Sequence, residues 1–116
     1  MRRLLVAVGV SALAVGCSTS SSTTDVSTPV AACNSFVTAG CNKASSCSLL
    51  GTGVTISTCI TTAEAAASCS TTKCATGTTY DSAAATTCIN NLNAQSCTDF
   101  GNNVTPTGCA ITSLCH

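Results

Sequence analysis

Apolar and polar positions fall into three regimes along this chain. Leu4 to Val15 (LLVAVGVSALAV) is a charge-free run of apolar and small residues behind Met1-Arg2-Arg3, and Ser18 to Thr28 (STSSSTTDVST) is almost wholly polar. From Val30 onward apolar residues recur every three or four positions, the period of a helix with one buried stripe. Val30, Cys33, Phe36/Val37 and Gly40/Cys41 make the first such stripe. Ile56, Cys59/Ile60, Ala63 and Ala66/Ala67 make the second, with Thr55 placed to cap it after the Gly51-Thr52-Gly53 loop. The β-branched residues between Val54 and Ile60 also suit a short strand. The third stripe, from about Thr79 to Gln95, carries Tyr80, Ala84/Ala85, Cys88/Ile89 and Leu92, and Thr78 and Asp81 stand at capping-box spacing before it. Asp99 to Pro106 (DFGNNVTP) is rich in loop formers, and Thr107 to Cys115 suits a last short helix with Ile111 and Leu114/Cys115 on one side. The pattern predicts an all-α fold over residues 30–116: a small disulfide-rich array of three to four short helices with long loops.

The first regime has the positive start and short apolar stretch of a secretory signal peptide. It is too short to span a bilayer, which takes roughly 20 apolar residues. Two processing sites compete. Ala12-Leu13-Ala14 fits ordinary signal peptidase, whereas Leu13-Ala14-Val15-Gly16-Cys17 resembles the lipobox of bacterial lipoproteins, departing from it at Ala14, where Leu is commoner. Cysteine parity favours the second. The chain holds 11 cysteines. If Cys17 carries lipid, an even set remains, Cys33, Cys41, Cys47, Cys59, Cys69, Cys74, Cys88, Cys97, Cys109 and Cys115, which an oxidising compartment can close completely. The expected organisation is therefore a lipoprotein signal peptide at 1–16, lipidated Cys17 with a solvated Ser/Thr tether over 17–29, and the disulfide-rich helical domain at 30–116. Several acyl chains on one cysteine hold a protein at a membrane far more firmly than a single one. Ser18 follows the modified cysteine, and by resemblance to enteric lipoproteins that implies an exported, lipid-anchored protein of the cell envelope, at the outer membrane.

Cross-links are expected because the domain has only about fifteen large apolar side chains, a meagre core for its length. The spacing leaves the connectivity open, although the stripes favour bridges joining the three helices through Cys33 or Cys41, Cys59 and Cys88. Charge removes other functions. Lys43, Lys73, Glu64, Asp81 and Asp99 are the only charged side chains between Val30 and Leu114, which gives no basic stripe for nucleic acid. Metal binding and cofactors are not expected, since no CxxC pair exists and the closest cysteines are Cys69/Cys74 and Cys41/Cys47. His116, the one histidine, is the last residue and reads as mobile. Glu64 suits a solvated helix face and Asp81 a helix N-terminus, so no catalytic residues are expected and the protein reads as no enzyme. Phe36, Tyr80 and Phe100 are the whole aromatic complement.

The stretch YDSAAATTCINNLNAQSC (Tyr80–Cys97), together with the lipobox and the Ser/Thr tether, resembles the small cysteine-rich lipoproteins that occur in large numbers in myxobacteria. Their recurrent element is an aromatic-Asp, alanine-rich, Cys-x-x-x-Leu helix ending in Cys, and the match covers about a sixth of the chain. The resemblance implies location and architecture. No activity attaches to that group. The expected function is that of a non-enzymatic envelope lipoprotein acting in envelope structure or protein contact through an unidentified partner. The alternative is a small exported binding module, a ligand carrier or inhibitor, with an apolar cavity lined by Ile60, Ile89 and Leu92.

Overall fold

A computed structural model describes residues 24–116; Cys17 and the segment 1–16 lie outside the described residues. The chain forms α1 (Pro29–Ser46), α2 (Ile56–Ala66), a 3-10 turn (Cys69–Thr71), α3 (Ser82–Ala94), α4 (Cys97–Gly101) and α5 (Ile111–Leu114). Among the described residues there is no strand, only one antiparallel bridge between Tyr80 and Cys115. The fold is a small disulfide-rich all-α array, with five helices where the pattern predicted three to four.

Each start is written locally. The Thr28 hydroxyl accepts from the Ala31 N–H at 3.1 Å, and Pro29, which has no N–H to leave unsatisfied, opens α1. Thr55 caps α2 by accepting from the Thr58 N–H at 3.1 Å, so the helical reading of Val54 to Ile60 wins over the strand. Asp81 itself caps α3, accepting from the Ala84 N–H at 2.9 Å. That corrects the expected start at Thr79. The N–H groups of Thr79 and Asp81 are given to the carbonyls of His116 (2.7 Å) and Leu114 (2.9 Å), so these residues pair with the chain's end instead of joining the helix. The short helix α4 replaces part of the expected loop. Ser96 accepts from the Asp99 N–H at 3.0 Å, the same capping arrangement.

Three helix ends close without glycine, that of α2 on Ser68 (φ 54°), whose N–H reaches the Ala65 carbonyl at 3.2 Å. After α1, Leu49 N–H reaches the Ala44 carbonyl (2.8 Å) and Ser48 N–H the Ser45 carbonyl (3.0 Å), the paired bonds of a Schellman motif. Its left-handed position is Ser48, at φ 56°. Asn103, at φ 57°, has the same place after α4, with Val104 N–H on the Asp99 carbonyl at 3.0 Å.

The interior is split by α1, which packs against α2, the 3-10 turn, α3 and α4. Val37, Cys41 and Cys69 form one buried cluster, with Cys33, Cys59, Ile60 and Ala63 against it. Ala39, Ile89 and Leu92 form the other, with Val26 and Phe100 against it. Val37 and Ala39 are two positions apart, about 200° around a helix, which is how one helix serves two cores. Among the described residues no polar or charged side chain is buried, and cysteines are three of the nine buried residues.

All ten cysteines of the domain are paired: Cys33–Cys69, Cys41–Cys59, Cys47–Cys97, Cys74–Cys115 and Cys88–Cys109. Cys41–Cys59 joins α1 to α2 as the stripes suggested. Cys88 departs from that expectation, since its partner Cys109 lies in the loop before α5. Five bridges require an oxidising, extracytoplasmic compartment for folding. Among the described residues no helix is long and apolar enough to cross a membrane.

Candidate functional site

An apolar groove of about 210 Å³ opens between α1, α3 and α5. Its α1 wall is Pro29, Ala32, Cys33 and Phe36, one helical stripe; Ala85, Cys88 and Ile89 face it from α3; Ile111, Leu114 and Cys115 close the third side. Thr72, Lys73, Tyr80 and Cys109 complete the rim. Three bridges contribute a sulfur to this lining, through Cys33, Cys88/Cys109 and Cys115. Cys88–Cys109 ties the α3 wall to the segment before α5, while Cys33–Cys69 and Cys74–Cys115 tie the α1 wall and the end of the third wall to the 69–74 segment. Phe36 and Ile111 remain 38% and 65% exposed, so the rim presents large apolar surface to water.

The hydroxyls around the groove are already committed. Tyr80 donates to the Val26 carbonyl at 2.8 Å, and Thr72 donates to the Ser68 carbonyl at 3.3 Å. Burial holds the Tyr80 phenol above its ordinary pKa, with the negative charges of Asp25 and Asp81 adding to the effect. The bond to Val26 has a second consequence. The polar sequence of Thr24 to Thr28 predicts a solvated tether, yet Val26 packs on the cluster of Ile89 and Leu92 and Ser35 Oγ donates to the Asp25 carbonyl at 2.7 Å. This stretch is docked on the domain. Asp25 turns back on itself, accepting from the N–H (2.9 Å) and hydroxyl (2.7 Å) of Ser27. Those bonds, the backbone one foremost, lower its pKa.

A second, polar depression of about 470 Å³ lies along α1, where Asn34, Thr38 and Asn42 face Asp25 and Asn93. Asp25 is its one charge.

Asp81 is at the N-terminus of α3, as expected. His116 is held by reciprocal backbone bonds with Thr79 (2.7 and 3.0 Å), contrary to the mobile end expected of a terminal residue. Its Nε2 lies 3.8 Å from Asp81 Oδ2, with the side chains 63% and 37% exposed. A pair this open is worth little, and among the described residues no hydroxyl hydrogen-bonds the ring. Glu64 is half-buried on α2. Among the described residues no three His, Cys, Asp or Glu side chains gather as a metal site.

The cavity expected from Ile60, Ile89 and Leu92 does not form. Ile60 packs in the cluster on one side of α1 and Leu92, 2% exposed, in the cluster on the other; of the three only Ile89 reaches the groove. The sequence pattern does not reveal this groove, because its walls are assembled by bridges to loop cysteines, Cys109 and Cys74, whose partners the spacing does not specify. Comparison with protein-family models, with curated proteins and with solved structures finds no match for this chain.

Proposed function

We propose that this chain is a non-enzymatic lipoprotein of the bacterial envelope, held at the outer membrane through Cys17, whose disulfide-stapled domain works by contact. One observation carries the reading. Five bridges consume every cysteine from Cys33 to Cys115, so the domain holds no thiol for Cys17 to pair with. A cysteine directly after a signal-like apolar run, with no partner in its own domain, is best explained by thioether attachment of lipid. The anchor then ends close to the domain, because the chain is already docked from Val26 onward. Intact mass of the natively processed protein tests this. The expected mature chain begins at Cys17 and carries diacylglycerol; a chain cut after Ala14 with an unmodified Cys17 refutes it.

The groove supports the second reading, an exported binding module. A preformed apolar recess with rigid walls binds at low entropic cost, and nothing in that reading conflicts with an anchor. Binding of any small apolar probe in stoichiometric amount would favour it.

A further inference from the structure

We propose that the groove between α1, α3 and α5 takes the alkyl chain of a fatty carboxylate, with Lys73 receiving the head group. The inference rests on the binding-module reading and names its ligand class. Size is the first argument. At about 210 Å³ the space exceeds the ~150 Å³ apolar cavity that accepts benzene and falls short of the ~300 Å³ at which drug-sized pockets begin. A single short alkyl chain fits; a helix or a fused ring system does not.

Chemistry narrows it further. Tyr80 and Thr72, the two hydroxyls of the lining, donate to Val26 and Ser68 carbonyls, so neither is free to donate to a peptide or a sugar. Lys73 is the one charged residue of the lining and is exposed. Of the two lysines among the described residues, Lys43 is spent on the Asn93 carbonyl at 2.9 Å. Lys73 has no hydrogen bond and no ion pair there; the single ion pair is His116 with Asp81. An apolar slot with one uncompensated cation at its edge is complementary to an amphiphile with one anionic head. The exposed rings and methyls of Phe36 and Ile111 are surface that such a chain would cover.

The test uses the Cys17→Ser chain exported with an ordinary cleavable signal peptide in place of residues 1–16 and purified oxidised, so that neither lipid, apolar leader nor detergent competes for the groove. Its five bridges are checked by mass. Calorimetric titration with decanoate should show one site per chain with a Kd below about 1 mM, and decan-1-ol should bind more weakly. Lys73→Gln should weaken decanoate about fivefold, the scale of one charge pair near 4 Å in water, and leave decan-1-ol unchanged, which also shows the variant folded. Phe36→Ser should weaken both. The proposal is overturned if decanoate does not saturate, if it saturates at several molecules per chain, or if Lys73→Gln affects acid and alcohol alike. Decan-1-ol binding without preference for the acid removes the fatty carboxylate and keeps the binding module. No binding of either, or a dimer that occludes the groove, removes both.

Discussion

Deleting the Cys33–Cys69 bridge as Cys33→Ala/Cys69→Ala gives a loss that can be worked from the connectivity. The bridge spans 36 residues, but Cys41–Cys59 lies inside that span. In the unfolded, otherwise oxidised chain the shortest path from Cys33 to Cys69 runs to Cys41, across the inner bridge and on from Cys59, about half the nominal loop. Closing roughly 18 residues restricts the unfolded state by about 3.2 kcal/mol, against about 3.8 for the full span. Cys69 is 1% exposed, so removing its sulfur adds a small cavity worth about 1 kcal/mol. The expected loss is about 4 kcal/mol, a large share of the 5–15 kcal/mol typical of a domain. Urea denaturation should show a lower midpoint and a steeper slope, because the freed chain exposes more surface on unfolding. In a background already lacking Cys41–Cys59 the same deletion should cost about 0.6 kcal/mol more, the effect of doubling a loop. A loss below about 1 kcal/mol in the oxidised background would refute the view that cross-links hold the domain.

Other perturbations follow from single contacts, each read by urea denaturation unless stated. Ser48→Gly should stabilise the domain by about 1 kcal/mol, since Ser48 sits at φ 56° where a Cβ costs roughly 1–2 kcal/mol, partly offset by glycine's greater freedom when unfolded. Asp81→Ala should cost about 1 kcal/mol through the lost cap of α3, and Asp81→Asn, which keeps the cap, should cost far less. Leu92→Ala, at 2% exposure, should cost about 3–5 kcal/mol. Tyr80→Phe should remove about 1 kcal/mol by orphaning the Val26 carbonyl, with faster hydrogen exchange at Val26 and Ser27. The Tyr80 pKa is raised, so the folded state favours the neutral phenol. That contribution is complete below the unfolded value near 10 and is lost as pH rises through the folded one. Stability above about pH 10 should therefore fall less steeply in Tyr80→Phe.

Much of the architecture was legible because it is local. The stripe from Ile56 to Ala67 and its Thr55 cap need only neighbours in sequence, and so does the alanine-rich helix behind Asp81. What escaped is non-local. Capping-box spacing of Thr78 and Asp81 predicts that α3 starts at Thr79, yet the N–H groups of Thr79 and Asp81 are claimed by the Leu114–His116 segment. The helix at Cys97–Gly101 did have a signal, Ser96 with Asp99 three residues on, hidden by the Gly-Asn-Asn that follows. The apolar positions Ile60 and Leu92 face inward as their stripes predict, but periodicity assigns a face and not a core, and α1 places them in different ones. Groove walls built from Cys88–Cys109 and Cys74–Cys115 depend on pairing, which spacing does not encode.

The central claim is that every domain cysteine is oxidised, in one set of partners. Proteolysis of the natively exported protein at acid pH without reduction, followed by mass mapping of linked peptides, tests it most directly. The account expects five linkages, Cys33–Cys69, Cys41–Cys59, Cys47–Cys97, Cys74–Cys115 and Cys88–Cys109, and no alkylatable thiol; free thiols at these positions or a different set of partners would contradict it.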